Sequence, residues 1–204
     1  EEGEEKQRDY WYGTSRQPDK LPRGQEIGRH AGERAVRRLA GRQLSTRDAP
    51  VVFSADQAIR LFGSFISAIH GSSLYRQATF LLDSLGKPVF PESVHIREEP
   101  HLPAALGSSP FDNEGVATQA RDLVRDGILQ GYVLDSYSAR KLEMQTTGNA
   151  GGVHNLIVDP GDQDLDQLLQ NMGTGLLVTE LIGMGVNIVT GDYSRGAAGF
   201  WVEG

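Results

Sequence analysis

The chain has 204 residues, of which 38% are hydrophobic and 23% charged, with a net charge of −7 and no cysteine. This composition suits a globular protein with a buried core, and its acidity argues against a general nucleic-acid or anionic-membrane surface. Disulfides and thiolate metal sites are excluded within these residues. No apolar run reaches the roughly 20 residues of a membrane span and no signal peptide opens the chain, so we expect a cytoplasmic protein.

The first third of the chain predicts two strands and two helices. Residues 7–16 are rich in aromatic and β-forming side chains and predict a strand. Helical spacing of apolar residues predicts a helix over 24–41, and a second over 55–70 after a short buried strand at 50–53. Ser54 is expected to cap the second helix and Gly71 to stop it. Its apolar face should pack on the core and carries Ala58, Phe62, Phe65 and Ile69.

The rest of the chain predicts more strands than helices. The clearest unit is a β-hairpin over residues 116–134 with a turn at Asp126 and Gly127. Other strands are predicted at 87–90, 93–98, 153–158, 176–181, 186–190 and 199–202, and short helices at 136–143 and 164–172. This order predicts an α+β fold: a largely antiparallel, glycine-rich sheet, twisted and barrel-like, with a few flanking helices.

Glycine is concentrated in the last third, at residues 146–152 and 179–204, among β-branched and aromatic residues. Glycine inside strand-like sequence marks positive-φ turns, bulges or places where another backbone approaches closely. Such a surface suits an extended peptide, which binds by adding a strand. The alternative is that these glycines only make sheet turns and dimer packing.

Motifs for nucleophilic catalysis, dinucleotides and nucleotide phosphates are absent. One cluster resembles a metal site and contains His95, Glu98, Glu99 and His101. In a strand, residues six apart lie about 20 Å from each other, so the two histidines share an ion only if Pro100 turns the chain. Residue chemistry alone therefore predicts no more than an α+β domain.

Four segments together resemble the TldD/PmbA family of bacterial metalloproteases, and within it the PmbA-type (TldE-type) members. These segments are 108–115, 136–142, 147–152 and 191–203. The similarity extends from about residue 6 to the end of the chain, with the motifs in the family's order. It implies that residues 1–204 are a single, truncated C-terminal domain, with the family's N-terminal domain and a final C-terminal stretch outside the chain.

The resemblance implies a subunit of a cytoplasmic zinc protease that takes unfolded or extended peptides. In this family, TldD and PmbA form a heterodimer around a chamber, and the implied substrates are a microcin leader and an antitoxin. The implied partners are a TldD-like subunit and an extended peptide, with a homodimer when the chain is alone. Nucleic acid and membrane are not implied.

The helix that should carry the chemistry departs from the family pattern. TldD-type members have a His-Glu-x-x-x-His helix that supplies zinc ligands and the general base. The equivalent helix here is 55–70, where Ser64, Phe65 and Ile69 stand at those positions. Neither Phe nor Ile binds zinc or moves a proton. We therefore expect no catalytic residue and no metal in this chain, and zinc in the TldD-like partner.

The role left by the resemblance is structural, since the chain would complete the chamber and hold the peptide. The expected border of the peptide groove or partner interface is Thr147, Gly148, Asn149, Gly151, Gly152, His154, Asp192, Tyr193, Ser194 and Arg195. Two alternatives stay open. One is a metalloprotease active in its own right, and the other is a non-enzymatic adaptor of the gyrase-modulator type.

Overall fold

The computed structural model describes Gly3 and residues 5–204, which divide into two compact units. The smaller unit contains residues 1–49 and 104–106, and the larger one residues 50–103 and 107–204. Within the described ranges, no helix combines the length and apolar character needed to cross a membrane.

Among its described residues, the smaller unit contains a 3₁₀ turn at Pro18–Lys20 and one helix, α1 (Gly24–Val36). The predicted helix is thus confirmed, although it ends before residue 41. The predicted strand at 7–16 is wrong, because this segment pairs with no strand. Its central side chain packs on the helix instead: the Trp11 ring lies 4.3 Å from the His30 ring, and the Arg34 guanidinium lies 5.1 Å from the Trp11 ring centre.

The larger unit contains three open sheets and four helices among its described residues. The strands are β1 (Val51–Phe53), β2 (Ile96–Glu98), β3 (Arg121–Arg125), β4 (Ile128–Leu129), β5 (Leu156–Val158), β6 (Gly175–Ile182), β7 (Val186–Asn187), β8 (Asp192–Tyr193) and β9 (Gly196–Val202). The helices are α2 (Ala55–Ala68), α3 (Gly71–Tyr75), α4 (Ser136–Lys141) and α5 (Leu165–Met172). The sheets have the orders β1-β6-β9, β4-β3-β2-β5 and β7-β8, and only β1 and β6 pair in parallel. The predicted α+β, largely antiparallel class is confirmed, but none of these sheets closes into a barrel.

The helix α2 packs its predicted apolar face on the core of this unit. Phe65 and Ile69 are 7% and 0% exposed and lie in one cluster with residues of β3 and β4. Ser54 precedes the helix as predicted, but its hydroxyl donates to the Asp56 carboxylate instead of capping the backbone. Gly71 does not stop the helix but begins α3, where it permits a close approach: a Cβ there would lie 2.1 Å from Ser138 Oγ.

The β3–β4 hairpin is confirmed, with a shorter ladder than predicted. Asp126 and Gly127 both have positive φ, as a two-residue turn of this type requires. The strand predicted at 87–90 is reduced to a single bridge at Pro88, because proline lacks the N–H that a ladder uses. Both short helices are confirmed, with Asp135 and Asp164 accepting hydrogen bonds from their first turns.

Candidate functional site

A buried carboxylate lies beneath the glycine-rich loop of residues 147–152. Glu98, the last residue of β2, is 1% exposed. Its Oε2 accepts a hydrogen bond from Arg121 Nε at 3.0 Å, and its Oε1 accepts from Asn149 Nδ2 at 2.7 Å and from the His154 backbone N–H at 2.6 Å. His154 Nδ1 lies 3.1 Å from the same oxygen. Because a buried charge is tolerated only when paired and hydrogen-bonded, Glu98 ties together Arg121 of β3, Asn149 within the loop and His154 just after it.

Asn149 is the residue through which the loop joins this network. Its Oδ1 accepts from Arg121 NH2 and from Thr147 Oγ1, both at 2.7 Å, and its Nδ2 also donates to the Gly152 carbonyl at 3.1 Å. Thr147 Oγ1 in turn accepts from the Leu134 backbone N–H at 2.8 Å. Both side chains therefore make hydrogen bonds that shape the loop, with Asn149 buried and Thr147 half-buried.

Asp112 supports the other side of the loop. It accepts from the Ala150 N–H at 2.9 Å, from the Glu114 N–H at 2.9 Å and from the Val116 N–H at 3.0 Å. Burial alone raises the pKa of Asp112, but these backbone N–H groups outweigh it and hold the pKa below its ordinary value. Asp112 is thus a second buried carboxylate that, in its ionised form, fixes the loop.

Two loop glycines are required by the geometry. Gly148 has φ +70°, and a Cβ there would lie 2.8 Å from the Ala117 carbonyl oxygen. Gly151 has φ +102°, and its Cβ would lie 2.4 Å from Asn113 Nδ2. Gly152 also has positive φ but faces open space. The turn-forming interpretation therefore accounts for Gly148 and Gly151, whereas an added Cβ at Gly152 would meet no neighbouring atom within 4 Å.

The second predicted segment lies on the β7–β8 hairpin. Asp192 and Tyr193 form β8, Ser194 N–H donates to the Gly185 carbonyl at 2.7 Å, and Arg195 Nε donates to the Ile182 carbonyl at 3.3 Å. Asp192, Tyr193 and Ser194 are exposed. Three apolar side chains near this hairpin are also exposed: Ile182 at the end of β6, Met184 just before β7, and Val189 between β7 and β8. No hydrogen bond among the described residues joins this hairpin to residues 147–154.

The three positions that the resemblance equates with a zinc motif lie in the core or on the helix surface. Ser64 Oγ donates to the Arg60 carbonyl at 3.3 Å, and the Phe65 ring packs edge-on against Phe90 at 5.0 Å. Ile69 is fully buried. His70 lies beyond the helix, where its Nδ1 accepts from the Ser72 N–H and caps α3.

The metal cluster considered from the sequence is dispersed. His95 Nε2 lies 3.0 Å from Asp122 Oδ1, whereas His101 Nε2 lies 3.1 Å from Thr118 Oγ1. Glu98 points into the core. In the part of the chain that the structure describes, no group of three or more His, Asp or Glu side chains could hold a metal ion.

Sequence reasoning missed the structural role of Glu98, Arg121 and Asp112. One signal for Glu98 was available: it stands two residues after Ile96, and in a strand such residues share a face. A glutamate on the inward face of a strand predicts a buried ion pair. The partners Arg121 and Asn149 come from distant parts of the sequence, so their contact carries no local signal.

Comparison with known proteins finds relatives that point to the same protein family. Residues 46–204 match the model of the PmbA/TldA metallopeptidase C-terminal domain. The chain is 51% identical over 203 residues to the metalloprotease PmbA of Escherichia coli O157:H7, covering 100% of this chain and 45% of that protein. It is 54% identical over 196 residues to a metalloprotease PmbA homolog of Haemophilus influenzae, covering 96% of this chain and 44% of the homolog. A Bacteroides thetaiotaomicron crystal structure, described as a proposed modulator of DNA gyrase, superposes with a TM-score of 0.92 at 35% identity and covers 99% of this chain and 46% of that one.

More distant relatives carry the other names of the family. A metalloprotease TldD homolog of Haemophilus influenzae is 26% identical over 155 residues, covering 71% of this chain and 32% of the homolog. The present chain spans less than half the length of the curated PmbA relatives that it matches. The family model and the two PmbA relatives agree over most of the sequence: the chain belongs to the PmbA/TldD metallopeptidase family.

Proposed function

We propose that the protein is a non-catalytic, PmbA-type subunit of a TldD/PmbA-type zinc metalloprotease. In this proposal the chain is part of the C-terminal domain of a longer polypeptide. It forms a wall of a chamber whose zinc belongs to a TldD-like partner in a cytoplasmic heterodimer. The substrates are unfolded or extended peptides, such as a microcin leader or an antitoxin.

The observation that carries the proposal is the burial of Phe65 and Ile69. A zinc protease needs ligands such as His and a general base at an open metal position. Here the equivalent helix presents an aromatic ring and an aliphatic chain to the core, and both pack tightly. Packing of this kind supports a structural use of the helix.

Peptide holding is supported by the exposed β7–β8 hairpin. Tyr193 is 40% exposed and Met184 is 92% exposed, so an apolar surface lies beside backbone groups of a two-stranded sheet. An extended substrate can pair with such an edge through its main chain, which suits unrelated sequences. The loop at 147–154, fixed from below by Glu98, is the second border that we propose.

A non-enzymatic adaptor acting on a gyrase-linked partner is the second candidate. Its support is the close superposition on the Bacteroides thetaiotaomicron protein described as a proposed gyrase modulator. The net charge of −7 disfavours direct DNA contact, so such an adaptor would act on protein.

Zinc content and peptide hydrolysis of the full-length protein, with and without a TldD-like subunit, test the proposal. We expect neither stoichiometric zinc nor hydrolysis for the protein alone, and both for the mixture. Hydrolysis with zinc by the protein alone would overturn the non-catalytic role. Within the mixture, Tyr193→Ala should raise KM for an unfolded peptide, whereas Tyr10→Ala, an exposed tyrosine of the smaller unit, should not. Equal KM values for all three proteins would contradict the hairpin as a peptide surface.

A further inference from the structure

We infer that a basic and aromatic patch on α3 and α4 is a docking site for an acidic, extended segment of a partner protein. The patch consists of Tyr75, Arg76, Tyr137, Arg140 and Lys141. It contains neither the zinc-motif positions nor the proposed groove residues, so it does not depend on the proposed protease role.

Two tyrosines form the centre of the patch. The Tyr75 and Tyr137 rings meet edge to face at 5.6 Å with an interplanar angle of 81°. Arg76 Cζ lies 5.8 Å from the Tyr75 ring centre, and Lys141 Nζ lies 5.7 Å from that of Tyr137. Tyr137 is half exposed, although aromatic side chains of this size usually gain by burial.

Arg140 and Lys141 lie three and four residues after Tyr137, and side chains at these spacings share one face of a helix. Both are exposed, as is Arg76. The cations of α3 and α4 thus flank the tyrosine pair and point to solvent from the same region of the unit.

The three cations of the patch lack a carboxylate partner among the described residues. Elsewhere in the same unit, Arg97, Arg121 and Arg125 each have a carboxylate oxygen within 3.1 Å. Arg60, Lys87 and Arg195 also lack one among the described residues, so what distinguishes the patch is that three such cations lie around one pair of tyrosines. Arg76 only donates its Nε to the Ser72 carbonyl, which leaves its two terminal nitrogens available. The chain has 27 acidic and 20 basic residues, so carboxylates are in excess, and three neighbouring cations without one form a surface complementary to an acidic ligand.

The patch is preformed because α3 and α4 approach closely. Gly71 allows this contact, since a Cβ there would overlap the Ser138 side chain. Asp135 fixes the start of α4 by accepting from the Ser138 N–H at 2.7 Å. A rigid surface loses little entropy on binding. The Arg76 guanidinium, held beside the Tyr75 ring, can then recognise a carboxylate through paired N–H donors.

An acidic peptide fits this patch better than a nucleic acid does. A long polyanion would extend beyond the patch and be repelled by the rest of the protein, whose net charge is −7. A short segment with a few carboxylates would contact only the patch. The tyrosine rings supply apolar contact for side chains between the carboxylates.

Fluorescence anisotropy with the full-length protein tests this inference. The probe is a fluorescein-labelled decapeptide of alternating Glu and Ser, measured at low ionic strength. We expect the combined Arg140→Glu and Lys141→Glu variant to weaken binding at least tenfold, and Arg140→Gln severalfold. The control is Arg60→Glu, an exposed arginine on α2 about 12 Å along the axis from the end of that helix; its Kd should stay within twofold of the unchanged protein. Tyr137→Ala should weaken binding severalfold, and Tyr137→Phe should retain it.

Three results would overturn the inference. The first is no binding of the acidic peptide, and the second is an equal loss of binding for Arg60→Glu, which would indicate only a general charge effect. The third is tighter binding of a single-stranded oligonucleotide of equal charge with the same dependence on Arg140 and Lys141. Thermal unfolding of each variant checks that these exposed substitutions leave the fold intact.

Discussion

Asn149 Nδ2 donates to Glu98 Oε1 at 2.7 Å, and this contact ties the glycine-rich loop to the end of β2 inside the core. Both residues are 1% exposed. The amide also meets Arg121 and Thr147, so one asparagine completes a network built around a single carboxylate. The loop's shape is therefore set from the interior by charge, and the stability of the fold depends on that charge.

Glu98→Gln should destabilise the protein by about 3 kcal/mol, because it leaves the half-buried Arg121 cation without its carboxylate and places an amide N–H₂ among donors. Urea unfolding measures this loss. The control is Glu99→Gln on the same chain segment, whose carboxylate is 26% exposed and pairs with Arg97; it should cost less than about 1 kcal/mol. Equal losses for the two variants would show that the buried network contributes no more than a surface ion pair.

Gly148→Ala should cost more stability than Gly86→Ala. The two glycines have φ +70° and +75°, so an alanine is strained at both. Only at Gly148 would the new Cβ meet an atom, the Ala117 carbonyl oxygen at 2.8 Å, whereas Gly86 has open space. We expect about 1 kcal/mol for Gly86→Ala from backbone strain alone, and at least about 2 kcal/mol for Gly148→Ala. Thermal unfolding of both variants checks the order, and a reversed order would contradict the close approach at Gly148.

Stability should fall in acid through Asp112, Asp122 and Asp135, whose pKa values are all held below the ordinary 3.8. Burial raises the pKa of Asp122, but hydrogen bonds and charge from His95 and Arg125 outweigh it. For Asp135, hydrogen bonds from Ser138 are the main cause of the lowered pKa.

A carboxyl with a depressed folded-state pKa contributes stability that is complete above its unfolded pKa and disappears as the pH falls through the folded pKa. The contribution of these three groups should therefore be constant at neutral pH and decline below about pH 4. Urea unfolding between pH 2.5 and 7 measures it. Asp112→Asn should lower the stability at pH 7 and flatten the acid decline. An unaltered slope for Asp112→Asn would contradict its role.

The sequence predicts those elements whose pattern is contained in neighbouring residues. The apolar spacing of Phe65 and Ile69 predicted α2 and its buried face, because helical periodicity is present in the chain itself. Asp126 and Gly127 predicted the β3–β4 turn, because few residues tolerate positive φ at both positions. The strand prediction for the segment around Trp11 is wrong, because the aromatic side chain that suggests a strand packs on a helix instead. The hydrogen-bond network of Glu98 could not be predicted from the sequence, because its partners come together only in the tertiary fold.

Restoring the family's zinc motif on α2 should not restore zinc binding. Ser64→His, Phe65→Glu and Ile69→His together would place a carboxylate at a position that is 7% exposed and an imidazole at one that is 0% exposed. Burying these polar groups without partners, and removing the packing of Phe65 on Phe90, should cost at least about 4 kcal/mol, so we expect loss of the cooperative unfolding transition and no stoichiometric zinc. Ser64→His alone is the control: Ser64 is half-buried on the helix surface, and its substitution should cost less than about 1 kcal/mol. One zinc per chain in a folded triple variant would show that the helix retains an open metal position, and the burial argument for a structural helix would then be wrong.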